Sequence, residues 1–259
     1  MRHYRISFAG AGNVAGALCR ELHSIGHTIM HIASVNENNG RTLAGFCNAT
    51  WSADLSFPDT SEIIIVAVPD KSLSKVLKEI KCNESAIIAH TAGSFGLDIF
   101  PSYLINTGVF YPLQTFSGKR KPDISSVPFF IEASNEKCAF AIKNIAESIS
   151  NTVNFSDTEH RRLLHLAAVF VSNFTNHMLT SGKDISAMAG VSFEVFKPLI
   201  LETITKAIDL GPENSQTGPA IRYDLNTIEK HLDLLSFSPD LKSMYDLITK
   251  SIISYYKKI

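Results

Sequence analysis

Two groups of residues in this chain have the types and spacing needed for chemistry. The first is Gly10-Ala11-Gly12-Asn13-Val14-Ala15-Gly16, which fits the pattern Gly-x-Gly-x-x-Ala. Gly10 permits a tight turn, the missing side chain of Gly12 lets a pyrophosphate approach the backbone, and the small Ala15 lets a helix pack closely on a strand. A helix starting at Asn13 would turn its free N–H groups, those of Asn13 and Val14 among them, and the positive end of its dipole toward the phosphates. A plain glycine turn without a ligand would use the same residues. The second group is a polar stripe in an apolar stretch. At 100° per residue, His165, Val169, Ser172 and Asn176 lie within about 60° of each other, with Asn173 at the edge. His165 suits the donation of a proton to a carbonyl or imine as hydride arrives. It suits equally a buried histidine that bonds protein groups and helps dock two domains. Asn173 is open to the same two readings, substrate ligand or structural bridge.

The elements around these residues alternate. Tyr4 to Ala9 reads as a strand running into the glycine loop, Asn13 to Ile25 as a helix ended by Gly26, and Thr28 to Ala33 as a second strand. Glu62 to Val68 is apolar without alternation, as a strand covered on both faces should be. Pro69 stops it. Ser72 to Ile80 reads as a helix, and Ala86 to His90, Thr107 to Phe110 and Val127 to Ile131 read as further strands. Such alternation argues for a parallel sheet with right-handed crossovers. Near residue 155 the pattern becomes helical. Ser156-x-x-Glu159 has the form of a capping box before a long apolar helix reaching about Thr180, and Ser192 to Leu210, Leu225 to Leu235 and Pro239 to Tyr256 follow. The fold class is therefore α/β: a Rossmann doubly wound sheet over residues 1–155 followed by an all-α domain over residues 156–259, with the active cleft expected between them.

The second strand ends Ala33-Ser34-Val35-Asn36, where an NAD site wants a carboxylate for the ribose hydroxyls. Ser34 and Asn36 can instead donate hydrogen bonds to a 2′-phosphate, and Arg41 follows five residues on. These residues favour NADP as cofactor, while leaving open that they are ordinary loop and surface residues. Composition narrows the partners. Of 259 residues, 45% are hydrophobic and 19% charged, and the net charge is -1. There is no basic field for nucleic acid, and no apolar run long enough for a bilayer. A strand that begins near Tyr4 leaves no room for a signal peptide, and four scattered cysteines read as reduced thiols, so a cytoplasmic location is expected. The histidines show no metal spacing; a glycine and a strand start separate His23, His27 and His31.

Several segments together resemble a known family: the glycine loop, Ala67-Val68-Pro69-Asp70, His90-Thr91-Ala92-Gly93, Tyr111-Pro112-Leu113-Gln114-Thr115-Phe116, and Thr217-Gly218-Pro219-Ala220-Ile221-Arg222-Tyr223-Asp224. The chain resembles small Rossmann-like oxidoreductases with an appended helical domain of unknown function, often labelled NADP- or deazaflavin-coenzyme-dependent. They are distant relatives of pyrroline-5-carboxylate reductase and the 3-hydroxyacid dehydrogenases. The resemblance implies that Val68 and Pro69 pass under the cofactor and that Thr91 and Ala92 border the nicotinamide. It also implies hydride transfer to or from a small polar metabolite, of the oxo acid or imine class, and a homodimer formed through the helical domain. Arg222, beside Asp224, suits a substrate carboxylate, or else an internal ion pair. Two departures stand out: Tyr111 occupies a position usually held by His, and Val35 one often held by Arg. The hydroxyacid dehydrogenase lysine has no counterpart, since no lysine lies between Lys143 and Lys183. A non-catalytic NADP-binding sensor or interaction protein is the second reading, and a deazaflavin as hydride partner the third.

Overall fold

A computed structural model describes residues 2–257. The chain divides into two compact units, one up to Asn173 and one from Phe174.

The first unit is built on strands β1 (Arg5–Ala9), β2 (Thr28–Ala33), β3 (Thr50–Ser52), β4 (Ile63–Val66), β5 (Ile87–His90), β6 (Thr107–Pro112), β7 (Phe129–Ala133) and β8 (Val153–Phe155). Helices α1 (Asn13–Ser24), α2 (Glu37–Cys47), α3 (Asp70–Glu79), α4 (Glu136–Ile149) and α5 (Thr158–Ala168) connect or follow them. The strands form one sheet in the order β3-β2-β1-β4-β5-β6-β7-β8. The first six are parallel, so the chain leaves β1 toward β2 on one side and returns through β4 on the other. That reversal makes the carboxyl ends of β1 and β4 the switch point where ligands settle on open α/β sheets. The expectation of an all-parallel sheet is corrected at its far edge. β7 runs antiparallel to β6, because residues 113–128 supply no crossover helix. β3 and β8, three residues each, carry too little pattern to be foreseen.

The unbroken apolar run of β4 has a direct cause. Ile63 and Ile65 enter the core with Phe8, Leu18, Phe110 and Phe129, while Ile64 and Val66 enter the opposite core with Leu73, Leu77 and Ile88. Successive side chains point to opposite faces and both faces are covered, so each position must be apolar. Burial of each contributes about 2 kcal/mol.

β8, the last strand of the sheet, ends at Phe155. The compact unit nevertheless continues through α5. Its N-cap is Asp157, whose side chain accepts from His160 N, so the expected Ser156 cap is displaced by one residue. After α5 the chain winds as a π-helix over Val169–Phe174. A π-turn takes more residues per turn than an α-helix, so the stripe drawn at 100° per residue does not persist beyond Val169.

The second unit is helical: α6 (Thr175–Met188), α7 (Lys197–Leu210), α8 (Pro212–Ser215), α9 (Leu225–Leu234) and α10 (Pro239–Tyr256). The helix expected from Ser192 begins as a 3-10 turn, Phe193–Phe196, with Ser192 accepting from Glu194 N. α7 buries none of its residues, and Leu199, Leu201, Ile204 and Ile208 are all exposed.

Candidate functional site

The glycine loop lies at the switch point. Gly10 has φ +112°, and a Cβ there would drive into the Ala67 carbonyl oxygen, while its N–H bonds Ala33 O at 2.7 Å. Only glycine adopts this turn without strain. Gly12 behaves differently, because a Cβ on it would meet no protein atom within 4 Å. Its bareness keeps space clear outside the protein. Gly12 stands at the N-cap of α1 and makes no side-chain cap bond. The first-turn N–H groups, at Asn13 and Val14, therefore point outward as donors for an anion. Ala15 is buried in the core below. The Asn13 side chain does not turn to the cleft: its Nδ2 donates to Phe116 O at 3.2 Å and tethers the loop after β6.

From this loop a cleft of about 850 Å³ runs past Ser34, Val35 and Asn36 on one side and Val68 and Pro69 on the other. Its size suits a nucleotide, and its walls are the strand ends that the sequence singled out. Uncapped donors, a bare Gly12 and this cleft together fit a dinucleotide.

The residues read as 2′-phosphate ligands are already engaged. Ser34 Oγ donates to Asn36 O at 3.0 Å and accepts from Trp51 Nε1 at 3.1 Å. It thus shapes the loop, and its expected donation to a phosphate is corrected. Asn36 caps α2 through Oδ1, which accepts from Asn39 N at 2.9 Å. Arg41 pairs with Glu37 at 2.7 Å and lies 4.4 Å above the Trp51 ring. Both charges of that pair are exposed, so it is easily exchanged for a phosphate. Val35 is 98% exposed at the cleft rim. Trp51 organises this corner, with Gly40 bare beneath it. Being the single tryptophan, it could have been flagged from sequence.

At the carboxyl ends of β5 and β6 a second constellation forms. Tyr111 Oη and His165 Nδ1 share a hydrogen bond of 3.0 Å, with the rings edge to face. Gly93 passes against both, and a Cβ there would lie 2.8 Å from His165 Nδ1 and from Tyr111 Cζ. Tyr111 is buried and His165 half-buried. Burial pushes the Tyr111 phenol above its ordinary range, Arg161 pulls it down and Asp70 pushes it up. Around them the loop after β5 is braced at each step. Thr91 N bonds Val66 O at 3.1 Å, Ala92 N donates to His90 Nδ1 at 3.2 Å, and Ser94 Oγ donates to Asp70 Oδ2 at 2.6 Å. His90 Nε2 bonds Gly96 O at 3.3 Å, a bond that favours the charged ring, but burial outweighs it and lowers the pKa from 6.5 to about 4.

His165, Tyr111, Thr91 and Ala92 are thus brought together. Asn173 ends the same unit as an exposed residue of the π-helix. Arg222 lies in the helical unit, exposed. Its expected partner Asp224 is otherwise employed. That carboxylate caps α9, accepting from Thr227 N at 3.1 Å and Thr227 Oγ1 at 2.7 Å, bonds that hold it below the usual carboxylate range. Among the described residues no ion pair joins Arg222 to Asp224, which corrects that expectation. Reasoning from sequence also missed Glu132 and Arg161, which meet at 2.6 Å from β7 and α5 with no local pattern to announce them. Among the described residues no cluster of three His, Cys, Asp or Glu side chains is arranged for a metal, and no helix is long and apolar enough to cross a membrane.

Comparison with known proteins agrees with this architecture. Residues 2–114 match the profile of a Rossmann-like domain, and residues 127–252 match the domain of unknown function DUF2520. No protein of curated function matches the sequence. A crystal structure from Bacteroides fragilis, provisionally named an NADP oxidoreductase, is 38% identical, with a TM-score of 0.89 over 97% of this chain and 98% of that one. An imine reductase from Myxococcus stipitatus in complex with NADP+ shares the fold at 13% identity and TM-score 0.66, over 98% of this chain and 93% of that one. A pyrroline-5-carboxylate reductase from Coxiella burnetii shares it at 13% identity and TM-score 0.58, over 99% and 98%. The chain belongs to the family of Rossmann-like oxidoreductases that carry a C-terminal DUF2520 domain.

Proposed function

We propose that the chain is an NADP(H)-dependent oxidoreductase that moves hydride to or from a small oxo acid or imine. Gly10, Gly12, Ser34, Asn36, Val68, Pro69 and the first-turn N–H groups of α1 would hold NADP(H). It supplies the hydride when bound. The observation that carries the catalytic reading is the Tyr111–His165 hydrogen bond at the carboxyl ends of the sheet. A phenol linked to an imidazole can pass a proton to the carbonyl oxygen or imine nitrogen and recover it through the ring. This explains how Tyr111 replaces the family's usual histidine without loss of an acid–base group. A sensor would have no need of such a pair. Arg41, whose pair with Glu37 is exposed, would hold the 2′-phosphate. Asn173, in the same unit, is assigned to substrate binding on residue type alone. A second copy of the chain covers the exposed apolar side chains of α7, in line with a homodimer through the helical domain.

The test uses NADPH oxidation with a panel of cyclic imines and oxo acids, on the parent and on Tyr111→Phe and His165→Ala. Turnover in the parent, lost in both variants while NADPH still binds, supports the reading. NADPH binding without turnover on any member of the panel favours the sensor.

A further inference from the structure

Arg161 is fully buried, and no substrate-facing role accounts for it. Its guanidinium donates to Glu132 Oε2 and to Phe95 O, both at 2.6 Å, and more loosely to Ser156 O at 3.3 Å. Thr158 Oγ1 completes the cluster, donating to Glu132 Oε2 at 3.0 Å. The Nε donor is buried without a partner among the described residues. A buried ion pair with an unmet donor is a poor device for stability alone, since apolar packing of the same volume does as well or better. Its placement points to another use. Phe95 lies in the loop whose Gly93 touches both Tyr111 and His165, and Arg161 stands one turn before His165 on α5. Arg162 fixes the same loop from outside, its Nε donating to Ser94 O at 2.9 Å.

We propose that Arg161 is the positioning residue of the Tyr111–His165 pair: with Glu132 as its counter-charge, it locks the Gly93–Gly96 loop to α5 so that phenol and imidazole meet, and it keeps a positive charge beside the phenol. This rests on the reading of that pair as the proton-delivering group. The charged and titratable groups facing Tyr111 are Asp70 from α3 and Arg161 and His165 from α5. Arg161 favours the phenolate and Asp70 opposes it. Loss of Arg161 must therefore raise the phenol's titration. Neutralising Glu132 leaves the guanidinium unbalanced and must lower it.

The experiment is NMR titration of Cζ-labelled tyrosine in the full chain, with the Tyr111 resonance assigned by its loss in Tyr111→Phe. No substrate is needed. Arg161→Met should move the midpoint up, Glu132→Gln should move it down, and Arg161→Lys, which keeps the charge, should stay near the parent. NADPH affinity should remain within about twofold throughout, because none of these groups lines the nucleotide cleft. A clamp that held the loop without bringing its charge to the phenol would give no such pair of opposite shifts. If Arg161→Met does not fold, the sign for Glu132→Gln decides by itself, and a midpoint that stays or rises overturns the proposal. Failure of the proton-delivery reading is seen separately, as full turnover in Tyr111→Phe, whatever the direction of these shifts.

Discussion

Gly12→Val separates the two reasons for glycine in the dinucleotide loop. The Gly12 backbone sits at φ -79° and ψ -169°, an extended conformation open to any residue, and no protein atom lies within 4 Å of a Cβ built there. The substitution should change the stability of the free protein by no more than about 0.5 kcal/mol, as for an ordinary surface change. The same side chain fills the approach to the start of α1, where the pyrophosphate must bond. In the parent, NADPH at a hundred times its dissociation constant stabilises the native state by about 2.7 kcal/mol. For a protein of this size that is about 5–10 °C in melting temperature. Gly12→Val should melt like the parent alone and show none of that gain. Gly10→Ala is the contrast: φ +112° and the Ala67 carbonyl oxygen against its Cβ should cost about 1–3 kcal/mol before any ligand is added. Differential scanning fluorimetry with and without NADPH reads all three proteins. An undiminished NADPH shift in Gly12→Val would refute the placement of the pyrophosphate. So would a free Gly12→Val that melts as low as Gly10→Ala, because the space at Gly12 would then be needed by the protein.

The parent should bind NADPH at least about tenfold tighter than NADH, a difference of about 1.4 kcal/mol, and Ser34→Asp combined with Arg41→Ala should abolish it; equal affinities in the parent by fluorescence titration would end the NADP preference. Tyr111→Phe should lower turnover about 100-fold or more at unchanged NADPH affinity, and His165→Ala should likewise weaken turnover more than binding; a fall confined to NADPH affinity would move both residues from chemistry to cofactor binding. Stability should also fall in acid through His90, whose pKa drops from 6.5 to about 4 on folding. The unfolded chain takes up the proton first, so this contribution is intact above about pH 7 and is lost as pH falls through 6.5 toward 4, by about 3 kcal/mol in full. His27 and His31, lowered by burial, add in the same direction. Denaturant titrations of His90→Asn across that range should show a shallower loss than the parent, and an equal slope would remove His90 as the cause.

What could be read from the sequence was local. Gly10 and Gly12 follow a strand and open a helix, and both demands, a left-handed turn and a bare approach, are written within seven residues. The apolar run at Ile63–Val66 marked a strand buried on both faces, because the two-residue period of a strand sends neighbours to opposite cores. His165 stood out as a polar residue in an apolar helix and Tyr111 as a departure from the resemblance, but the hydrogen bond between them was not legible, since no local pattern links residues so far apart in the chain. The tertiary structure alone decided that phenol and imidazole meet across Gly93, that Trp51 takes the hydroxyl of Ser34, and that Asp224 spends its carboxylate on a helix cap. It alone placed Arg161 against Glu132. Periodicity reports which face of an element is apolar, and it carries no information about which distant polar groups a closed core will force together. Those pairings arise only when the sheet closes and buried donors and acceptors must find partners away from water.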